Sequence, residues 1–346
     1  MQIAFAVPAP LDTPVGGFFY ARRIVEGLRD AGHAVDVVEL PGAHPQADTP
    51  AREAARAAID GVAKRGTRLL IDGLALPAFV GKGDALEATG AFGLVHHPAA
   101  LADGASDADR ASLRNAALRL LPRLHRVVVT SQIVAERLVA EFGVDAAHIA
   151  IVVPGTENAP RSTGSGGPGC AILSVGALIP RKGHDVLLRA LARLFDLDWH
   201  LTIVGSATRD PGHATVLAAL SEQLGIAAQV HFAGALDQPT LEKLWRKADL
   251  FALATQWEAY GSAVAEALRR GLPVAVTSGG GAAALVPAEA GVVAPPGDVE
   301  QLSKAMRRLI FSAALRAEMA EIAWQAGQTL PDWTTQVRTF VAALDG

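Results

Sequence analysis

The chain has 346 residues, half of them apolar, with 31 Lys and Arg against 35 Asp and Glu and a formal charge of −4. That length fits two domains of ordinary size, each able to bury its own core, and the charge balance excludes a general attraction to nucleic acid or to anionic lipid. The single cysteine, Cys170, excludes an internal disulfide framework and a multi-cysteine metal site, fits a reducing cytosol, and reads as a small buried hydrophobe.

Taken from the N-terminus, residues 1–8 read as a short strand with neither a basic leader nor a long apolar region, so a cytoplasmic location is expected. No apolar run approaches the roughly 20 residues of a membrane-spanning helix. Apolar runs at 3–7, 34–40, 68–71, 92–96 and 127–130 read as buried strands, with helices at 18–31 and 133–142 among the segments between them. That alternation predicts a parallel, doubly wound sheet.

Three segments of this first half carry candidate chemistry. Thr13–Pro14–Val15–Gly16–Gly17–Phe18 joins the first strand to the first helix, and its paired glycines permit close backbone approach. It is not G-x-G-x-x-G, so the nicotinamide fingerprint is missing from its usual place. Gly93–Leu94–Val95–His96–His97–Pro98 ends a buried strand in two histidines, which read either as satisfied core residues or as site residues at the carboxyl end of the sheet. They lack nearby carboxylates to complete a metal site. The stretch 110–123 alternates Leu with Arg110, Arg114 and Arg119. An amphipathic helix packed on its own sheet is favoured there over a peripheral membrane patch.

A run rich in Gly, Ser and Pro at 159–169 reads as the interdomain linker. The pattern then restarts, with strands at 171–175, 200–204, 230–233, 250–253, 274–277 and 292–293, and helices near 185–195, 214–224, 238–246, 262–270 and 299–311. Two Rossmann-like halves around such a joint predict a cleft between them, with ligands at the carboxyl ends of strands. The domains are therefore read as 1–160 and 161–330. A terminal helix over 331–346 either crosses back to the first domain or packs on its own.

The loop Ser174–Val175–Gly176–Ala177–Leu178–Ile179–Pro180–Arg181–Lys182–Gly183–His184 follows the first strand of the second half. Its two adjacent cations suit a diphosphate, Arg as a fork and Lys as a point charge. Asp196–Leu197–Asp198 has the spacing of a metal-binding D-x-D pair, but it precedes a strand instead of following one, so a metal is not expected there. The most informative stretch is Trp257–Glu258–Ala259–Tyr260–Gly261–Ser262–Ala263–Val264–Ala265–Glu266–Ala267. Glu258 lies in a loop that opens a helix at Gly261 and Ser262, where free amides favour phosphate or sugar hydroxyls. Glu266 stands two turns along, among apolar neighbours that give a carboxylate there reason to have a partner.

This glutamate-x7-glutamate wording resembles the signature of retaining glycosyltransferases of family 4, and the likeness extends over most of the chain. The resemblance implies an α/β fold of GT-B type, with two Rossmann-like doubly wound domains facing across a cleft. It implies a hexosyltransferase moving a sugar from a nucleotide diphosphate donor to an acceptor hydroxyl (a saccharide, a lipid-linked sugar or a small molecule), without a metal or other cofactor. By the same resemblance Glu258 and His96 are the catalytic candidates. Gly16, Gly17, Arg181, Lys182, Gly261, Ser262 and Glu266 would bind the donor, and the final helix would return to the first domain. The family's arginine directly after the first glycine of the phosphate loop is replaced here by Ala177, with Arg181 as its substitute. A nucleotide-sugar epimerase of the same architecture, or a non-catalytic nucleotide-sugar-binding subunit, stays open as an alternative.

Overall fold

A computed structural model describes residues 1–12, 16–101 and 106–345, arranged as two compact units. The first comprises Met1–Gly155 together with the C-terminal helix Trp333–Asp345, and the second is Thr156–Asp332.

The sheet of the first unit is made of β1 (Gln2–Pro8), β2 (Ala34–Leu40), β3 (Arg68–Asp72), β4 (Phe92–Val95), β5 (Arg126–Val129) and β6 (Ile149–Ile151), in the order β2-β1-β3-β4-β5-β6. All neighbours run parallel. Strands covered on both faces read as continuous apolar runs, as β1 and β5 do. β6, only three residues long, is too short to stand out as such a run.

In the second unit β7 (Cys170–Val175), β8 (Trp199–Val204), β9 (Val230–Gly234), β10 (Leu250–Leu253), β11 (Val274–Thr277) and β12 (Gly291–Ala294) are ordered β12-β11-β10-β7-β8-β9, again all parallel. The chain order reverses between β7 and β10, and between β1 and β3 in the first unit. In doubly wound sheets those reversals open the crevice in which ligands bind, at the carboxyl ends of the strands.

Helices fill the crossovers, and several start where a short polar side chain caps them. Asp48 accepts from the amide of Ala51, Asp237 from that of Thr240 and Asp298 from that of Gln301. The helix Trp333–Asp345 lies against the helix Gly16–Asp30: Trp333 meets Tyr20 edge-on at 5.5 Å between ring centroids, and Phe340 is fully buried in the first unit's core.

The Gly/Ser/Pro-rich run is tied down. Ser162 donates from its backbone to the carbonyl of Arg270 and from its hydroxyl to that of Ala248, Ser165 donates to Asp249, and Arg161 pairs with Glu321. These contacts fasten residues 161–165 to the second unit, and the division between units falls before them, at Gly155 and Thr156. Composition detects the absence of a buried side-chain pattern, whereas a strap held through its backbone and hydroxyls leaves no such pattern to detect.

Candidate active site

The second unit brings its best-marked residues together at its topological reversal. The loop after β7 carries Arg181 and Lys182 in a single 3-10 turn, Pro180–Lys182. The loop after β10 carries Thr255, Trp257 and Glu258. Lys182 Nζ donates to Glu258 Oε1, which lies 3.3 Å from Arg181 Nη1. Arg181 Nη1 also donates to the carbonyl of Trp257 at 2.6 Å, and the amide of Gln256 donates to the carbonyl of Arg181 at 2.8 Å. Thr255 ties the same two loops, its hydroxyl donating to the carbonyl of Arg181 at 2.9 Å.

The Glu258 side chain is only 12% exposed. Burial by itself would raise its pKa, but the charges of Lys182 and Arg181, with hydrogen bonds from Lys182 and Thr255, hold the carboxyl below its ordinary range. It is an ionised carboxylate inside a cationic corner. Lys182 carries three N–H donors and Arg181 five, so both keep donors for a further anion.

The Glu258 loop rests on a feature that the sequence reading did not single out, the triplet Gly279–Gly280–Gly281 after β11. Glu258 donates from its amide to Gly279 and accepts from the amide of Gly281 at 2.7 Å, forming a parallel bridge with Gly280. Gly280 has φ of 82°, and a Cβ there would stand 2.1 Å from the Glu258 carbonyl oxygen. Three consecutive glycines one residue after a buried strand were the available signal.

Gly261 caps the helix Ser262–Arg269 with φ of 99°. The amides of Ser262 and Ala263 have no preceding helical turn to bond to, and Ser262 is exposed. Glu266, one face further along, is half-buried, and among the described residues its carboxylate has no hydrogen-bond partner. Burial raises its pKa first of all, and Glu242 and Glu157 add to the rise against the opposing charge of Arg270. Arg270 is committed elsewhere, bonded to Glu242 at 2.5 Å and stacked over Trp245 at 5.0 Å. Glu266 therefore offers unused acceptor positions.

Two more residues belong to this corner. His184 is buried behind the loop after β7, its Nε2 3.3 Å from the carbonyl of Gly176, and burial pushes its pKa down to about 4. Arg209, an exposed residue on the loop after β8, has its pKa lowered by partial desolvation and then by the like charge of Arg181. The amide of Leu178 donates to the carbonyl of Ser206 at 3.0 Å, tying that loop to the one after β7. Arg209 is thus a second guanidinium within electrostatic reach of Arg181, which is itself braced against Trp257 and Glu258. A lone Arg on a polar loop gave no sequence signal. Asp196, by contrast, is held by Arg307 through two bonds of 2.7 Å, before β8 and away from these loops.

In the first unit, Gly16 and Gly17 open the helix Gly16–Asp30, while residues 13–15 of the glycine loop lie outside the described residues. The fold brings Gly17 and His96 together: a Cβ on Gly17 would stand 3.2 Å from His96 Cδ2. The His96 ring meets Tyr20 edge-on at 5.0 Å, its Nε2 is buried without a hydrogen bond among the described residues, and burial drives its pKa down to about 4. Beside it, β3 ends in Asp72, which is 1% exposed. Its Oδ1 accepts from the amide of Leu74 at 2.8 Å, its Oδ2 has no partner among the described residues, and burial raises its pKa to about 7. Asp72 too was missed, because one Asp closing an apolar strand reads as a turn residue. Arg110, Arg114 and Arg119 go separate ways: Arg110 reaches Asp107 at 3.8 Å, Arg114 reaches Glu141 at 3.6 Å, and Arg119 reaches neither. Among the described residues no helix is long and apolar enough to cross a membrane.

Known structures share this architecture across the whole chain. A sucrose-phosphate synthase from Thermosynechococcus elongatus superposes with a TM-score of 0.83 at 20% identity, covering 100% of this chain and 98% of that one. Anabaena HepE in complex with UDP-glucose gives 0.79 at 18% identity, covering 100% and 99%. The fold is thus GT-B, two Rossmann-like doubly wound units in one chain.

More specifically, the second unit is a group 1 glycosyltransferase domain: the family model described as "Glycosyl transferases group 1" matches residues 156–325. A mannosylfructose-phosphate synthase from Agrobacterium fabrum is 27% identical over 64% of this chain and 52% of its own length. A D-inositol 3-phosphate glycosyltransferase from Mycobacterium sp. (strain KMS) is 31% identical over 53% and 44%. The chain spans about half the length of these curated relatives.

Proposed function

We propose that this protein is a hexosyltransferase that moves a sugar from a nucleotide diphosphate donor to an acceptor hydroxyl with retention of anomeric configuration. The observation that carries the reading is the ionised Glu258 held between Lys182 and Arg181 at the β7/β10 reversal of a group 1 glycosyltransferase domain. Two cations with spare donors suit a diphosphate, and a carboxylate among them suits the hydroxyls of the attached sugar. The exposed helix start at Gly261 and Ser262 adds amides and a partial positive charge. Glu266, with free acceptor positions, takes the ribose hydroxyls.

In this reading the bond from the anomeric carbon to the diphosphate oxygen breaks while the acceptor oxygen bonds to the same face. The acceptor proton passes to the departing phosphate, and the sugar has oxocarbenium character in between. Arg181, Lys182 and Arg209 stabilise the charge that accumulates on the leaving group, so the proposed step needs no metal. The first unit takes the acceptor, with Gly16, Gly17 and His96 at its carboxyl edge. His96, kept neutral by burial, accepts or donates one hydrogen bond without adding charge.

The test is incubation with UDP-, GDP- and ADP-hexoses and a panel of acceptors, with the product's anomeric configuration read by NMR. An α-linked product from an α-donor is expected, lost in Glu258→Gln and unaffected by EDTA. An inverted product, or equal turnover by Glu258→Gln, overturns the reading. Epimerised nucleotide sugar from donor alone would assign the site to the epimerase class.

A further inference from the structure

The helix that carries Glu266 is followed at once by a cation placed to neutralise it. Glu266 and Arg270 stand four positions apart with the acid nearer the N-terminus, the order in which such a pair joins most readily across one helical turn. They do not pair. Among the described residues the Glu266 carboxylate has no hydrogen bond, although the charges of Arg270, Glu242 and Glu157 all act on it.

What holds Arg270 away is the neighbouring helix Gln238–Lys247. Glu242 Oε2 accepts from Arg270 Nη2 at 2.5 Å and from its Nε at 3.2 Å. Three further contacts fix the arginine. Its Nη1 donates to the Glu266 carbonyl at 3.1 Å, its guanidinium covers the buried Trp245 ring at 5.0 Å, and its own carbonyl accepts from the amide of Ser162 at 2.9 Å. The guanidinium thus already touches the backbone of the residue whose carboxylate it leaves free.

Three carboxylates share this corner with one guanidinium, and the guanidinium serves Glu242. The Arg270 side chain is only 8% exposed, and a nearly buried charge without a partner is strongly unfavourable. Deprived of Glu242, Arg270 would need another acceptor, and the open one on its own helix is the Glu266 carboxylate.

We propose that Glu242 is a positioning residue for nucleotide binding: by holding Arg270, it keeps the Glu266 carboxylate free for the hydroxyls of the donor's ribose. The inference rests on the transferase reading above and deepens it, naming the residue that keeps the ribose acceptor open. Glu242 touches no ligand in this scheme. Its removal acts through Arg270, which then neutralises Glu266.

Isothermal titration of UDP, GDP and ADP first identifies the nucleotide that wild type binds. That nucleotide and its 2′,3′-dideoxy analogue are then titrated into Glu242→Met, Arg270→Met and the double variant. Glu242→Met should bind the nucleotide about tenfold more weakly, the weight of a hydrogen bond to a charged group. It should bind the dideoxy analogue as wild type does. Adding Arg270→Met should restore most of the loss, because a pair replaced by apolar side chains strands no charge. In turnover the loss should sit in KM with kcat unchanged, as for a group bound alike in ground and transition states.

A merely structural Glu242 would give the opposite pattern, with the double variant no better than Glu242→Met and both ligands weakened alike. Either result, or unchanged nucleotide binding by Glu242→Met, overturns the inference. Circular dichroism checks folding. Should Glu242→Met not fold, Glu242→Gln keeps the size without the charge and should show the same pattern at smaller amplitude. Failure of all three nucleotides to bind wild type overturns the transferase reading and this inference with it, whereas a wild type that binds beside an unchanged Glu242→Met overturns this inference alone.

Discussion

Lys182 donates to the carboxylate of Glu258, and that contact joins the loops after β7 and β10 across the reversal of the second sheet. Both side chains are mostly enclosed, 16% and 12% exposed. Removing the lysine leaves a nearly buried carboxylate with only Arg181 opposite, and breaking a buried pair costs about 3 kcal/mol or more. Lys182→Met should therefore lower stability by roughly that amount in urea unfolding. The double variant with Glu258→Gln should recover part of the loss, because no lone charge remains. Additive losses in the double-mutant cycle would show that the two residues are not coupled.

Asp72 and His96 sit at neighbouring strand ends of the first unit and give pH dependences of opposite sign. Asp72 has its pKa raised to about 7 by burial, so between about 4 and 7 the folded protein binds the extra proton. Its contribution to stability is complete below about pH 4 and is lost as pH rises through that window. His96, lowered to about 4, is neutral when folded. Its contribution is complete above about pH 6.5 and is lost as pH falls towards 4. Asp72→Asn should match wild type at pH 4.5 and exceed it at pH 8, while His96→Gln should flatten the acid side. Denaturation midpoints at four or five pH values decide the matter, and an Asp72→Asn protein no more stable at pH 8 than wild type contradicts the assignment.

Gly280 is the position at which the Glu258 loop has least room. A left-handed residue other than glycine costs about 1–2 kcal/mol, and a Cβ here would also strike the carbonyl oxygen of Glu258 at 2.1 Å. Gly280→Ala should lose several kcal/mol and displace Glu258, abolishing turnover. Gly90, at φ of 58° with nothing within 4 Å of its would-be Cβ, isolates the conformational part. Gly90→Ala should lose only about 1 kcal/mol and keep full activity. Equal losses at the two positions would mean that the loop yields.

What the sequence made legible follows from how each feature is built. Parallel strands covered on both faces are apolar along their length, so eleven of the twelve could be read, and only Ile149–Ile151 was too short. Glu258, Lys182, Gly261 and Glu266 stood out because residue type and position in a strand-loop-helix unit suggested one chemistry, and the fold sets Lys182 against Glu258 and Gly261 at a helix start. Asp72, Arg209 and the support from Gly279–Gly281 depend on what lies across the sheet from them. Linear spacing holds no record of that, and for the same reason the strap at 161–165 reads in sequence as part of an interdomain linker.

Glu266 gives the sharpest separation between holding the nucleotide and performing chemistry. Its carboxylate is half-buried and unpaired among the described residues, and burial with the nearby Glu242 and Glu157 raises its pKa. A ribose diol would supply the donors this carboxylate lacks, at about 1.5–3 kcal/mol for a hydrogen bond to a charged group. Glu266→Gln keeps the size and one acceptor but loses the charge. It should raise the KM for the nucleotide sugar by about ten- to hundredfold and leave kcat near wild type, since a group bound equally in ground and transition states affects binding alone. A 2′,3′-dideoxynucleotide should bind wild type and Glu266→Gln with equal weakness. If the variant instead loses kcat at unchanged KM, Glu266 acts on the reacting sugar and the ribose assignment fails.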